Sequence, residues 1–596
     1  MRGTRAHRPR MVLGCLFLVA MLLVAGVKLV HVQVFQAQAL SAKAERQRAT
    51  PLDIPAQRGS IVDRSGRPLA FSVDSRVLYV VPRLVRANWQ KARDRRPDRT
   101  PDFETHTAQI ADTIARAVGE GADRDRMLAK LRGDAQREEL AENVGPATAW
   151  EITSTYPGIG SEYRAVRVYP NGSLAANVIG ATTWRKDQKP GGTRGISGLE
   201  SSRDQVLSGR AGRRIVDTEQ GRDDVVIPGT ERDLEPATPG ANLELTLDID
   251  AQFVAQQLVT EHSRRLGARD AGVIVLDART AEVLALATDR TFDPTKAARL
   301  SDEQRANTAV SAPFEPGGAA ALITAAGAVE DGVVGRDETL TIPDRLRVDD
   351  VDVRDHWPHG AQEFTLAGVL GRSSDVGTVQ VARRVGEDRF ANLVRRFGIG
   401  ERTELGLPGE SAGELPPPEH WSASTFARLP VGRDVAVTLP QLAGMYQAIA
   451  NDGMRVPPRL VRAETLPHSP RVELPRPAGV RVVSPQTAAT VRGLLRAVVQ
   501  DAPGQKGTSP AAALPGYQVA GKSGSARQPD GQRVWNCFAG MFPAESPRFV
   551  VAAMIDAPET DAAARLFREL SDYLAQRYHV PMAREPAPVQ HLVGPR

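Results

Sequence analysis

The chain has 596 residues, of which 25% are charged and 41% hydrophobic, with a formal net charge of +5. That length exceeds a single hydrophobic core and predicts two or more folded domains. The small charge, with arginines and acids interspersed, excludes a nucleic-acid footprint. Two cysteines in unrelated contexts, Cys15 and Cys537, exclude a zinc or CxxC redox motif and a disulfide framework.

The first element is apolar. "MVLGCLFLVAMLLVAGV", Met11 to Val27, carries no charge, and the apolar character continues past Lys28. Roughly 20 such residues span a bilayer. Arg2, Arg5, Arg8 and Arg10 precede it, which keeps the amino end in the cytoplasm. A cleaved signal peptide would have an apolar region of about 7–15 residues and a small-residue cleavage site. Neither is present. The expectation is a basic cytoplasmic tail over 1–10, an uncleaved single-pass anchor over 11–30 and a polar stalk over 31–57, with everything after about residue 35 outside the cytoplasm.

From residue 58 the pattern is mixed. Gly59 and Gly66 flank a short apolar pair, and "VLYVV" reads as a strand. "IADTIARAV" has helical period. Strand-like pieces return in "YRAVRVYPNGSLAANVIGATT", and Asp187 to Thr238, rich in Gly, Arg and Asp, predicts loops and a hairpin. "EPATPG" marks a linker at 236–240, separating a first domain, 58–235, from a second, 241–580. In the second, "NLELTLDID" alternates as a strand and "AQFVAQQLVTEHSRRL" reads as a helix. "AGVIVLDARTAEVLALAT" reads as two strands around a turn. Helices clustered between strand groups predict an α+β class. The Pro-rich end, 581–596, is expected to be disordered.

One segment carries a question. "FEPGGAAALITAAGAV", Phe314 to Val329, opens with a Glu-Pro-Gly turn and continues as an alanine-rich helix, with no functional side chain from Gly318 to Ala321. Its neighbours give it meaning. "RGSIVDRSGRPLA" (Arg58–Ala70), "RVYPNGSLAANVIG" (Arg167–Gly180) and "GISGLE" (Gly195–Glu200) come first. "LTLDIDAQ" (Leu245–Gln252), "IVLDARTAEVLALA" (Ile274–Ala287), "FGIGERTELGLPGE" (Phe397–Glu410) and "LPQLAGMYQAIANDGMRVPPRLV" (Leu439–Val461) follow. In this order and over nearly the full length, the chain resembles the class B penicillin-binding proteins, the peptidoglycan D,D-transpeptidases of division and elongation. The resemblance implies a transmembrane helix and an elongated α+β pedestal carrying the motif of Arg58, Gly59, Asp63, Arg64 and Gly66. It also implies a transpeptidase domain with an antiparallel sheet and helices, like a serine β-lactamase. No cofactor and no metal are implied.

The family's chemistry rests on three motifs around one cleft. A Ser-x-x-Lys at the start of a buried helix supplies the nucleophile and, one turn on, the base that a hydroxyl needs. A Ser-x-Asn follows, and a Lys-Thr-Gly lies on an edge strand. Here Gly318 takes the serine position and Ala321 the lysine position, and no Ser-x-x-Lys occurs elsewhere. "RSSDVG" gives Ser373, Ser374 and Asp375, and "GKSGSA" gives Lys522, Ser523, Gly524 and Ser525. Asp375 is either a helix cap or a partner for Lys522 across the cleft. Three readings follow. The first is a pseudo-transpeptidase acting as scaffold or regulator of cell-wall synthesis. The second is a working transpeptidase with a non-standard nucleophile. The third is a non-covalent sensor of stem peptides or β-lactams. The partners implied are a polytopic peptidoglycan glycosyltransferase and other division or elongation proteins.

Overall fold

A computed structural model describes residues 7–31, 49–119, 122–184, 192–217, 232–335, 338–527 and 534–594. The start of the basic tail, most of the stalk and much of the 187–238 loop region lie outside them. Contacts divide the chain into one unit of 1–56, 187–191 and 210–238, and a second of 57–186, 192–209 and 239–596.

In the first unit, helix His7–Val30 contains Met11–Val30, long and apolar enough to cross a membrane. Separately, Ala49–Ile54 pairs antiparallel with Gly212–Asp217, which pairs with Arg232–Glu235. The last two strands form the expected hairpin.

The second unit begins with the pedestal. Strand Arg76–Val80 lies between Glu138–Val144 and Ile159–Tyr163. Leu78, Val80, Ile110, Ile114, Leu131 and Ile152 fill the core that this sheet forms with its helices. Helix Phe103–Val118 contains the predicted periodic segment and is capped by Asp102, which accepts from Thr105 N–H.

The expected boundary at 236–240 does not interrupt the sheet network. One six-stranded sheet runs in the order Val472–Glu473, Val461–Thr465, Asn242–Leu245, Ile61–Val62, Pro68–Val73, Val166–Val168. Its join is parallel, with Leu243 opposite Ile61. Gly240 N–H donates to Gln57 O and Ala241 N–H to Val206 O. Beside this join Arg58, Glu200 and Arg167 form a knot. Arg58 Nε donates to Glu200 Oε2 at 2.6 Å and Arg167 Nε to Glu200 Oε1 at 2.7 Å. Arg58 also binds Asp204 at 2.6 Å, with Arg58 only 3% and Glu200 0% exposed. A Cβ at Gly59 would lie 1.9 Å from Ala241 O, so only glycine lets these backbones meet. Asp63, also buried, accepts from Ser65 and Arg67 N–H around the turn that Gly66 closes with φ 85°. Arg64 N–H donates to Leu247 O. The pedestal signature therefore pins the pedestal to the start of the second domain.

That domain is built on a five-stranded antiparallel sheet, ordered Val283–Thr288, Ala271–Asp277, Phe549–Asp556, Val534–Phe542, Ala520–Arg527. Its faces feed two cores. Val273 and Val275 belong to one with helices Ile249–Leu266 and Ala562–Arg577; Ile274 and Leu276 belong to the other with Ala321–Glu330 and Leu439–Ala450. Burial on both faces explains why these strands read as continuous apolar runs. The predicted strand at "NLELTLDID" ends at Leu245, because Asp248 caps the helix that starts at Ile249.

The C-terminal expectation requires correction. Described residues 590–594 are docked, not disordered. Leu592 is 0% exposed, Val593 bridges Phe364, and Gly594 N–H donates to Glu363 O. Two apolar residues within the Pro-rich segment supply the burial that its composition conceals.

Candidate active-site cleft

The turn "EPGG" is held from three sides by glycine. Gly317 has φ 52°, and a Cβ there would lie 2.5 Å from Ser525 O. A Cβ at Gly432 would meet Gly317 O at 2.1 Å, and one at Gly524 would meet Pro316 O at 1.8 Å. Tyr446 Oη donates to Ala319 O at 3.0 Å from the buried side. The chain then runs as a 3-10 turn, Gly317–Ala320, into helix Ala321–Glu330. Ala321 through Ala328 are buried. The alanine-rich composition is the packing solution for a helix enclosed on all sides.

At Gly318 a side chain would point into a polar group. Its Cβ would lie 3.0 Å from Ser373 Oγ, 3.2 Å from Lys522 Nζ and 3.3 Å from Ser523 O. The structure thus brings the three motif regions together around a position with no side chain. Ala321, one turn on, is buried and contributes only a methyl group.

Ser373 and Ser374 join two helices. Ser373 ends Leu366–Arg372 in the left-handed conformation, φ 56°. Ser374 caps Asp375–Val385, accepting from Gly377 N–H at 2.9 Å. The cap is therefore Ser374, not Asp375. Ser374 Oγ also donates to Asp355 Oδ2 at 2.6 Å, and Val376 N–H donates to Asp355 Oδ1 at 3.0 Å. His359 Nε2 lies 3.0 Å from the same carboxylate, and His359 packs edge-on to Phe364.

Lys522 stands on the edge strand, opposite Ala539. It is 1% exposed and donates to Ser373 Oγ at 2.8 Å and Ser523 O at 2.9 Å. Ser523 Oγ accepts from Ser509 Oγ at 2.8 Å, and Ser525 is exposed. The expected Asp375–Lys522 ion pair is not formed: among the described residues no carboxylate lies within 4.0 Å of Lys522. Without a side chain at 318, the lysine instead satisfies its donors on the hydroxyl and carbonyl at the rim. Burial lowers the Lys522 amine to about 8, against the opposing influence of Asp375 and Cys537. Burial raises the Asp375 carboxyl to about 6, with Arg433 and Lys522 opposing and Asp355 assisting. Burial pushes the Cys537 thiol up to about 12, and burial lowers His356, with Asp355 opposing and Lys522 assisting.

Asp355, His356 and His359 were not singled out by sequence reasoning. The string "DHWPHG" (Asp355–Gly360), with two histidines around a tryptophan, was the available signal.

With this geometry in place, comparison defines the class. Residues 271–572 match the penicillin binding protein transpeptidase domain, and 53–245 match the penicillin-binding protein dimerisation domain. The chain belongs to the class B penicillin-binding proteins, the family of peptidoglycan D,D-transpeptidases of cell-wall synthesis. It is 42% identical over 619 residues to penicillin-binding protein PbpB of Mycobacterium tuberculosis, covering 98% of this chain and 90% of that protein. It is 28% identical over 562 residues to the peptidoglycan D,D-transpeptidase FtsI of Escherichia coli, covering 92% and 86%. Penicillin binding protein 3 of Mycobacterium tuberculosis complexed with aztreonam superposes with TM-score 0.70 at 38% identity, covering 91% of this chain and all of that one. A peptidoglycan synthetase from Bifidobacterium adolescentis gives 0.72 at 26%, covering 92% and 100%.

Proposed function

We propose that this chain is a membrane-anchored member of the family that does not perform D,D-transpeptidation and serves cell-wall synthesis as a scaffold or regulator. The observation that carries this reading is Gly318. The cleft is assembled around it, yet the position that faces Ser373 and Lys522 bears no oxygen. Removing the nucleophile of a serine hydrolase costs on the order of 10⁶ in turnover. The base position is vacant too, and the paired change is physically consistent. A lysine at 321 would be an ammonium in a core of alanine, leucine and isoleucine, without its hydroxyl partner. Two small residues convert the catalytic helix into a packing element and leave the fold intact.

The pedestal supports a scaffolding role. Its signature residues lock it to the second domain through a fully buried ionic knot. The apolar Met11–Val30 helix supports single-pass anchoring with the amino end in the cytoplasm. The partners fitting this reading are a polytopic glycosyltransferase and other proteins of division, the process that the FtsI similarity favours.

The test uses the full chain in detergent with a pentapeptide stem donor and a D-amino acid acceptor. The expected result is no D-alanine release above background, with release appearing in Gly318→Ser/Ala321→Lys. Release by the unmodified chain would overturn the reading.

A further inference from the structure

Two groups in the cleft keep reactive chemistry that the scaffold reading does not use. Ser373 Oγ lies half-buried on the rim, 3.0 Å from the place of the missing Cβ at 318, and Lys522 Nζ lies 3.2 Å from the same point. The two atoms are 2.8 Å apart. The serine backbone is fixed on both sides. One helix ends at Ser373, the next is capped by Ser374, and Asp355 clamps Ser374 and Val376. The lysine has no carboxylate within 4.0 Å among the described residues, so no ion pair holds it as an ammonium. Even a Cβ at 318 would press on both groups more closely than ordinary van der Waals contact, so glycine at this position leaves the hydroxyl and the amine in direct contact.

We propose that Ser373 and Lys522 form a serine–lysine dyad that is acylated by strained acyl donors, β-lactams foremost, one side chain away from residue 318. This goes beyond the scaffold reading and does not depend on it. A hydroxyl becomes a useful nucleophile when a base lies within hydrogen-bond reach, and serine–lysine pairs are one form of that arrangement. The neutral Lys522 amine takes the Ser373 Oγ proton as Oγ attacks the lactam carbonyl. The Oγ–C bond forms, the ring C–N bond breaks, and the proton passes from Nζ to the ring nitrogen. The opened ring stays attached as an ester and nothing leaves. Gly318 N–H lies in the first turn of the helical run, where backbone donors lack intrahelical partners and can stabilise an oxyanion. Ring strain makes the difference from a stem peptide. It supplies driving force that an ordinary amide lacks once the helix lysine at 321 is absent to assist the departing nitrogen.

Burial lowers the Lys522 amine to about 8, which leaves a usable neutral fraction near neutral pH. The charged or titratable groups in its electrostatic surroundings are Asp375, Cys537 and His356, with Asp355 and Arg433 acting on these in turn.

The experiment incubates the full chain in detergent with benzylpenicillin for many hours. Intact-mass measurement and peptide mapping then follow. The expected result is slow addition of one intact drug molecule, mapped to Ser373. The rate should rise roughly tenfold between pH 7 and pH 9 as a base near 8 loses its proton. Labelling should fall to background in Ser373→Ala and in Lys522→Met. Mapping in the unmodified chain keeps the test decisive even if a variant folds poorly. No adduct at pH 9, an adduct on another residue, or a rate indifferent to pH would each overturn the dyad. The scaffold reading is scored separately by D-alanine release, so each proposal can fail alone.

Discussion

Arg58 and Lys522 are both deeply buried cations, 3% and 1% exposed, in one structural unit. Arg58 is neutralised twice, by Glu200 and Asp204, and Glu200 is shared with Arg167. Lys522 has only a hydroxyl and a carbonyl. The first centre is a closed electrostatic unit whose members cannot be removed singly. The second is a small cluster of neutral and amine donors and acceptors beside two small residues, Gly318 and Ala321. The difference teaches two ways of burying a cationic side chain: the pedestal joint meets charge with charge, while the cleft meets its lysine with neutral oxygens beside a glycine-clamped turn.

Breaking the closed centre should have the largest effect. Glu200→Ala leaves two guanidinium groups buried around a void and should cost about 3–5 kcal/mol, read as a lower denaturant midpoint. If the loss were under about 1 kcal/mol, the contrast with the cleft would disappear. Next comes Asp355→Ala. It strips Ser374 Oγ and Val376 N–H of their acceptor and should cost about 1–3 kcal/mol by the same measurement. Smallest is Lys522→Met, which removes an unpaired buried cation. Stability should change by about 1 kcal/mol or less, or rise.

The pH dependence sharpens the comparison further. The native Lys522 amine loses its proton near 8, whereas in the unfolded chain it does so at the ordinary, higher lysine value. Between these values the unfolded state binds more protons, so stability contributed by this group rises with pH. Relative to Lys522→Met, the wild-type chain should be weakest below pH 8 and should recover above it. Chemical denaturation at several pH values would show this. A difference flat with pH would mean that the amine is not depressed.

After these contrasts it is clear what the sequence made legible. The two strands Ala271–Asp277 and Val283–Thr288 and the alanine-rich helix follow from apolar pattern and length, because both express local periodicity and burial. The cleft was readable only through motif order. Gly318 says nothing alone; it gains meaning from Pro316 and Gly317 before it and from Ser373 and Lys522 far along the chain. Three features were not legible. The pairing of Ile61 with Leu243 joins distant segments, and no local pattern encodes it. Asp375 looked like a partner for Lys522, but its neighbour Ser374 takes the cap and Lys522 turns to Ser373. The docked terminus was hidden by proline composition.

That terminus has a practical consequence. A Cβ at Gly368 would lie 1.8 Å from Leu592 O, and Thr365 Oγ1 donates to His591 O at 2.6 Å. Gly368 belongs to the helix that ends at Ser373. A reporter protein or affinity tag pulling on residues 590–594 is thus linked, through one short helix, to the Ser373 hydroxyl at the rim of the cleft. A label placed there for microscopy would tug on the very feature whose behaviour it was meant to follow.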